Sequence, residues 1–289
     1  MAGFARRKVI VGSVAVPPYT NYGNRLIEES TFNLLALPES TPKFSVFQKI
    51  TDELLEFINS HEYLIITGCT TLQDDPGHQV CFDSQFEKIK IRKVCFGGAF
   101  YCESNDNPSL RIARLYDTPI GARDPWTAEY LAKNHIESCL LGCPTLLEGA
   151  DLVDWKDNPS GFVLVSSSPE LMLDYSFLDG RRVRFIKHDS WSRGEELRNS
   201  SLFEGASLVI TGRLHAALPA LARGIRVRFY GQEYWHPEVK PYSWGNMRYS
   251  LLQYLKVDLE GNECPAYPAA QIRHLRDNCE NWLLQVGRS

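Results

Sequence analysis

Between Ala206 and Tyr230 the chain reads Ala-Ser-Leu-Val-Ile-Thr-Gly-Arg-Leu-His-Ala-Ala-Leu-Pro-Ala-Leu-Ala-Arg-Gly-Ile-Arg-Val-Arg-Phe-Tyr. An apolar run, a glycine, apolar residues at helical spacing, a second glycine and a second apolar run make a strand, turn, helix and strand. Ser207–Thr211 is the first strand, Leu214–Arg223 the helix and Ile225–Tyr230 the second strand, with Gly224 suited to the left-handed position after a helix end. Two parallel strands joined through a helix cannot stand alone, so this unit commits the chain to a mostly parallel α/β sheet. Pro219 removes an amide inside the helix and predicts a kink or a short first segment.

In such sheets ligands bind at the carboxyl ends of the strands, and Arg213 and His215 fall there. Free amides at a helix start favour anions, Arg213 adds a permanently charged planar fork, and His215 can exchange a proton near neutral pH. One reading has Arg213 bridging to a carboxylate and His215 packing locally. The other makes them a ligand site, as ionisable groups gathered in a cleft suggest.

The same alternation runs through the rest of the chain. Val9–Val16 is a strand followed by Asn21-Tyr22-Gly23-Asn24, whose asparagines suit a turn and an N-cap, or line a cleft together with Gly23. Ile50, Leu54, Leu55 and Ile58 mark a helix, and Tyr63–Ile66 a strand ending in Thr-Gly-Cys-Thr-Thr. Val94–Phe96 is a strand leading into a Gly97-Gly98-Ala99 loop. Arg123 precedes a helix with Asp124 as N-cap and Pro125 at its first position; it is either an Asp124-paired arginine or a second anion ligand. Ser138–Leu141, Phe162–Val165 and Val183–Ile186 are further strands, with helices after Pro169 and near Glu195–Leu202. His188 and Asp189 follow a strand end, where they cap locally or face the cleft. Asn246–Tyr254 and Gln271–Val286 are helical, the latter with Ile272, Leu275, Cys279, Trp282, Leu283 and Val286 on one face, as a terminal helix packing back across a hinge would need.

A chain of 289 residues exceeds one ordinary core, and the periodicity breaks over the polar stretch 148–160. Two doubly wound domains are therefore expected, at 1–155 and 156–289. A net charge of −4 gives no reason to expect nucleic acid, and no run reaches membrane-span length or forms a signal peptide, so a cytoplasmic protein is expected. No phosphate-loop or dinucleotide fingerprint occurs, and the eight cysteines include no Cys-x-x-Cys. All eight are expected to be free thiols, and neither a metal nor a cofactor is expected.

Five segments taken together resemble the polysaccharide pyruvyl transferase family: Asn-Tyr-Gly-Asn at 21–24, Ile-Ile-Thr-Gly-Cys-Thr-Thr-Leu at 65–72, Arg-Asp at 123–124, Gly-Cys-Pro at 142–144 and Val-Ile-Thr-Gly-Arg-Leu-His at 209–215. The last is the most specific. Gly68-Cys69-Thr70 stands where the family often carries a glycine triplet, and Gly97-Gly98-Ala99 where a Gly-Pro loop is common. The resemblance implies a GT-B-like fold of two Rossmann-like domains with a cleft between them. It also implies transfer of an enolpyruvyl-derived group from phosphoenolpyruvate to a sugar or lipid-linked glycan acceptor, which leaves peripheral membrane association open. Arg213, Leu214, His215 and Arg123 would then meet phosphoenolpyruvate, with His215 as proton donor and Asn21, Gly23, Asn24, Gly68 and Thr70 lining the substrate cleft. The competing readings are a glycosyltransferase of the same fold using a nucleotide sugar, and a non-catalytic anion- or glycan-binding module.

Overall fold

The computed structural model of the chain describes residues 4, 7–15, 22–68, 85–99, 108–149, 154–167, 180–187, 202–231 and 244–288. Six parallel strands form a first sheet: β1 (Val9–Ser13), β2 (Lys43–Ser45), β3 (Tyr63–Thr67), β4 (Arg92–Gly98), β5 (Ile120–Ala122) and β6 (Ser138–Leu140), in the order β2-β1-β3-β4-β5-β6. A second sheet holds β7 (Phe162–Ser167), β8 (Val183–Lys187), β9 (Ala206–Thr211), β10 (Arg226–Tyr230) and β11 (Glu260–Glu263), in the order β11-β10-β9-β7-β8. Among the described residues only β11 runs antiparallel to its neighbour. These are the two Rossmann-like sheets expected. β1 and β3 are buried at every position, as strands covered on both faces must be, which is why they read as continuous apolar runs.

Around the first sheet lie α1 (Tyr22–Leu35), α2 (Asp52–Asn59), α3 (Pro108–Ala113), α4 (Pro125–Lys133) and α5 (Pro144–Leu147). With the second sheet come α6 (Leu214–Ala222), α7 (Trp244–Tyr254) and the terminal α8 (Ala269–Arg288). Local chemistry sets several of the boundaries. Thr51 caps α2 by accepting the Leu54 amide, and Asp124 caps α4 by accepting the Thr127 amide at 2.9 Å with Pro125 behind it. Gly224 takes φ +69° after α6, with its amide on Leu221 O and the Ile225 amide on Ala220 O, the paired bonds of a Schellman ending.

Several expectations are corrected. Gly97 and Gly98 are not a loop after β4 but its last residues. Gly97 sits at a shift in the β4–β5 register with φ +70°, and a Cβ there would lie 2.8 Å from Pro144 Cδ, so the glycine lets α5 approach the strand. Asn24 lies inside the first turn of α1 rather than capping it. Pro219 leaves α6 a single helix, although it has no amide to donate along the helix. The helices expected after Pro169 and near Glu195–Leu202 fall outside the described residues but for Leu202.

α6 is buried over all but His215 because it is enclosed on two sides, by the second sheet and by α1 and α5. One apolar core consequently runs from β1 and β3 through α1, α5 and α6 to β9 and β10. α8 crosses back to the first sheet: Trp282 Nε1 donates to Pro119 O at 2.7 Å, Asn278 Nδ2 to Leu140 O at 2.9 Å, and Leu275 packs on Gly142. Among the described residues no helix is long and apolar enough to cross a membrane.

Candidate active site

Each sheet reverses its winding once. In the first sheet the reversal lies between β1 and β3, and in the second between β7 and β9; at such points the connections leave in opposite directions and open a crevice at the carboxyl edge. The segments singled out in the sequence flank these two crevices. β1 leads to α1 and Gly23, β3 to Gly68, and β9 to Arg213 and His215.

The two edges meet. A Cβ built on Gly23, in the first turn of α1, would lie 2.8 Å from His215 Cβ, 2.9 Å from its Nδ1 and 3.1 Å from its Cγ. The imidazole, on the second residue of α6, therefore rests against the start of the first sheet's helix. Its Nε2 is shielded from solvent.

The turn that delivers Arg213 and His215 is held by Thr211, the last residue of β9. Its hydroxyl donates to Ser166 O at the end of β7 and accepts the Arg213 amide at 2.8 Å, tying the turn to the neighbouring strand. Arg213 is the N-cap of α6 by its backbone, with no side-chain capping bond, and its side chain is half-buried. Leu214 goes into the core at 1% exposure, so its side chain does not face a ligand.

Arg123 lies at the carboxyl end of β5, on the same edge beyond β3 and β4, its amide on Gly98 O. The guanidinium is 1% exposed and its neighbour Asp124 is fully buried. Arg123 Nε stands 3.4 Å from Asp124 Oδ2, a Coulombic contact rather than a hydrogen bond, and the buried Nε and Nη2 make none among the described residues. Asp124 Oδ1 accepts the Thr127 amide and, at 3.2 Å, Ser250 Oγ from α7. Burial pushes the Asp124 carboxyl above its usual range, and the Arg123 charge and these hydrogen bonds oppose that rise. Of the two sequence readings of Arg123, the one observed is the pairing with Asp124.

Asn24 donates to Val14 O at 2.9 Å and pins the loop after β1. Gly68 has φ +50°, and a Cβ there would collide with Ile27 of α1, so this glycine serves helix packing. Asn21, Thr70, His188 and Asp189 lie outside the described residues. Sequence reasoning missed the hydroxyls that end the strands: Ser13, Thr67, Ser166 and Thr211 are at most 1% exposed. Thr67 Oγ1 has no hydrogen-bond partner among the described residues. The signal was present as a small hydroxyl closing each apolar run. Among the described residues no three His, Cys, Asp or Glu side chains are grouped to hold a metal. Cys95, Cys139, Cys143, Cys264 and Cys279 are free thiols; Cys69, Cys81 and Cys102 lie outside the described residues.

Two Rossmann-like sheets, joined where His215 of the second rests against Gly23 of the first, define a protein of the α/β class. The polysaccharide pyruvyl transferase family model matches residues 21–197, more than half of the chain, and the chain belongs to that family. It is accordingly a transferase of the polysaccharide pyruvylation class. No curated protein matches the chain. Among solved structures it is similar to an uncharacterized protein of Klebsiella pneumoniae (17% identity, TM-score 0.49, covering 89% of this chain and 92% of that one). It is also similar to a UDP-GlcNAc 2-epimerase of Methanocaldococcus jannaschii (11%, 0.46, 93% and 98%) and to the wall teichoic acid polymerase TagF (11%, 0.46, 97% and 86%). Likeness at this level says nothing of ligand or reaction.

Proposed function

We propose that the protein transfers the enolpyruvyl-derived group of phosphoenolpyruvate to two hydroxyls of a sugar, forming a pyruvate ketal and releasing inorganic phosphate. The observation that carries this reading is the meeting of α1 and α6 at the two winding reversals, which brings His215 into the crevice beside Arg213 in a member of this family. Phosphoenolpyruvate carries about three negative charges near neutral pH, which calls for permanent cations and free helix amides. Arg213, the amides opening α6, and the spare donors of Arg123 supply them.

In the reaction His215 gives a proton to C3 of the enol, C2 becomes oxocarbenium-like, and an acceptor hydroxyl adds to C2 while losing its proton. The second hydroxyl then displaces phosphate from C2, breaking the C–O bond and closing the ketal; one hydroxyl proton restores the imidazolium and the other leaves on the phosphate. Shielding of the imidazole from bulk water favours delivery of its proton to carbon. No metal or cofactor takes part in this scheme.

The test is incubation with phosphoenolpyruvate and a panel of nucleotide-linked and lipid-linked sugars, with phosphate release and mass spectrometry of the product. A ketal-bearing product with stoichiometric phosphate supports the reading. Sugar transfer from a nucleotide sugar, or ligand binding without any product, overturns it.

A further inference from the structure

Gly23 is a glycine for a reason its own backbone does not supply. It lies in the first turn of α1 and is not among the residues with positive φ, so any amino acid could adopt its conformation. Alanine is also the better helix former. What excludes a side chain is His215, whose Cβ, Nδ1 and Cγ would all stand within 3.1 Å of the added carbon. The nearest of these, Cβ at 2.8 Å, is tied to the α6 backbone and cannot swing aside as the tip of a long side chain could. Elsewhere the same two helices are held close: α1 packs on α6 and on α5, and Ser30 and Asn33 of α1 each reach Glu148, just past α5, at 2.5 Å.

We propose that Gly23 is a positioning residue for His215: the missing side chain is the seat of the imidazole, so a group borne by the second sheet is held in place by the first turn of the first sheet's helix. The Nδ1 edge of the ring lies against this seat. The inference rests on the reading above only for its effect on turnover; the seat itself is a matter of geometry. A Cβ at position 23 must push the start of α6 off α1, because the His215 Cβ moves only with its backbone, and must turn the ring as well; both misplace the proton by a distance that matters to transfer, where displacements near 1 Å cost about a hundredfold.

The experiment is a double-mutant cycle with Gly23→Ala and His215→Gly, read as turnover of phosphoenolpyruvate, together with NMR of the His215 ring. Gly23→Ala is expected to remain folded with a melting temperature lowered by a few degrees, lose tenfold or more in kcat, and shift the ring resonances of His215. In the His215→Gly background, where Cβ and ring are both absent, the same substitution should change turnover by less than twofold, because the atoms it would strike are gone. A full, multiplicative loss in that background would mean that Gly23 makes room for substrate instead, and overturns the proposal. In the wild-type protein a nuclear Overhauser effect should connect the Gly23 α-protons to the His215 ring; its absence overturns the proposal without reference to any variant. Should the wild type prove inactive with every donor and acceptor, the functional reading fails while the ring spectra and the Overhauser contact still decide the seat.

Discussion

Replacing Arg123 by methionine removes a buried charge at nearly constant length, and the structure sets the size of the consequence. Arg123 is 1% exposed and Asp124 not at all, so the substitution strands a carboxylate that burial already disfavours. Breaking a buried pair from one side typically costs about 3–5 kcal/mol. The carboxylate has an escape, because it can take up a proton. The work of protonating it at pH 7 from the ordinary aspartate value of 3.8 is about 4 kcal/mol, at ~1.4 kcal/mol per pH unit, and this caps the charge penalty. At pH 5 the cap falls to about 1.6 kcal/mol by the same factor. The Thr127 amide and Ser250 hydroxyl remain on Oδ1, so about 3 kcal/mol at pH 7 is expected, a fall in Tm of roughly 6–12 °C. The sign follows from the direction of the shift. With its folded-state pKa raised further, Asp124 favours the folded protein below its unfolded pKa, and that stability is lost as pH rises through the folded value. The Arg123→Met deficit should therefore be small near pH 5 and grow toward pH 7. Arg123→Met/Asp124→Asn keeps a capping residue without the charge, and should recover to within about 1 kcal/mol and lose the pH dependence. Donor binding should be weakened in both variants, which separates the pairing role of Arg123 from its ligand role. Thermal melts at pH 5, 6 and 7 with calorimetric titration of phosphoenolpyruvate give every quantity. An Arg123→Met protein melting within 2 °C of wild type at each pH would refute the buried pair; a double variant with wild-type affinity would remove Arg123 from the site.

Arg213→Ala should weaken phosphoenolpyruvate binding by about 2–4 kcal/mol in calorimetry, with lysine restoring part of it because a point charge cannot replace the planar fork. His215→Ala should leave that affinity in place and lower kcat about a hundredfold to ten-thousandfold, seen in steady-state phosphate release. Trp282→Ala removes a 1%-exposed ring that lies on Phe96 and donates to Pro119 O, and should cost about 3–5 kcal/mol in denaturant unfolding. Burial pushes the Cys95 and Cys279 thiols up to about 12, so peptide mapping after brief alkylation of the native protein at pH 8 should find these unlabelled while half-buried Cys139 reacts first.

The order of elements was legible in the sequence because the code for it is local. Asp124-Pro125 opens a helix wherever it stands, Gly224 ends one by adopting a positive φ, and runs such as Tyr63–Ile66 can be satisfied only between two layers. The Arg213-Leu214-His215 turn was legible for the same reason, since a strand end followed by a helix start sits at the carboxyl edge of a parallel sheet wherever that sheet is placed. The short edge strands β2 and β11 were not, for three or four residues carry too little periodicity to register.

What only the tertiary structure decided is which residues act on one another. Gly23 and His215 are separated by most of the chain, and nothing in either neighbourhood announces that the imidazole occupies the space a side chain would have taken. Gly68 and Gly97 have the look of ligand loops in the sequence, yet one yields to Ile27 and the other to Pro144. The burial of Arg123 with spare donors likewise depends on Asp124 being held by Thr127 from its own helix and by Ser250 from α7. A sequence specifies its turns and caps through bonds between near neighbours; whether a glycine is a hinge, a seat or a packing gap depends on an atom brought to it from elsewhere, and only the folded core fixes that distance.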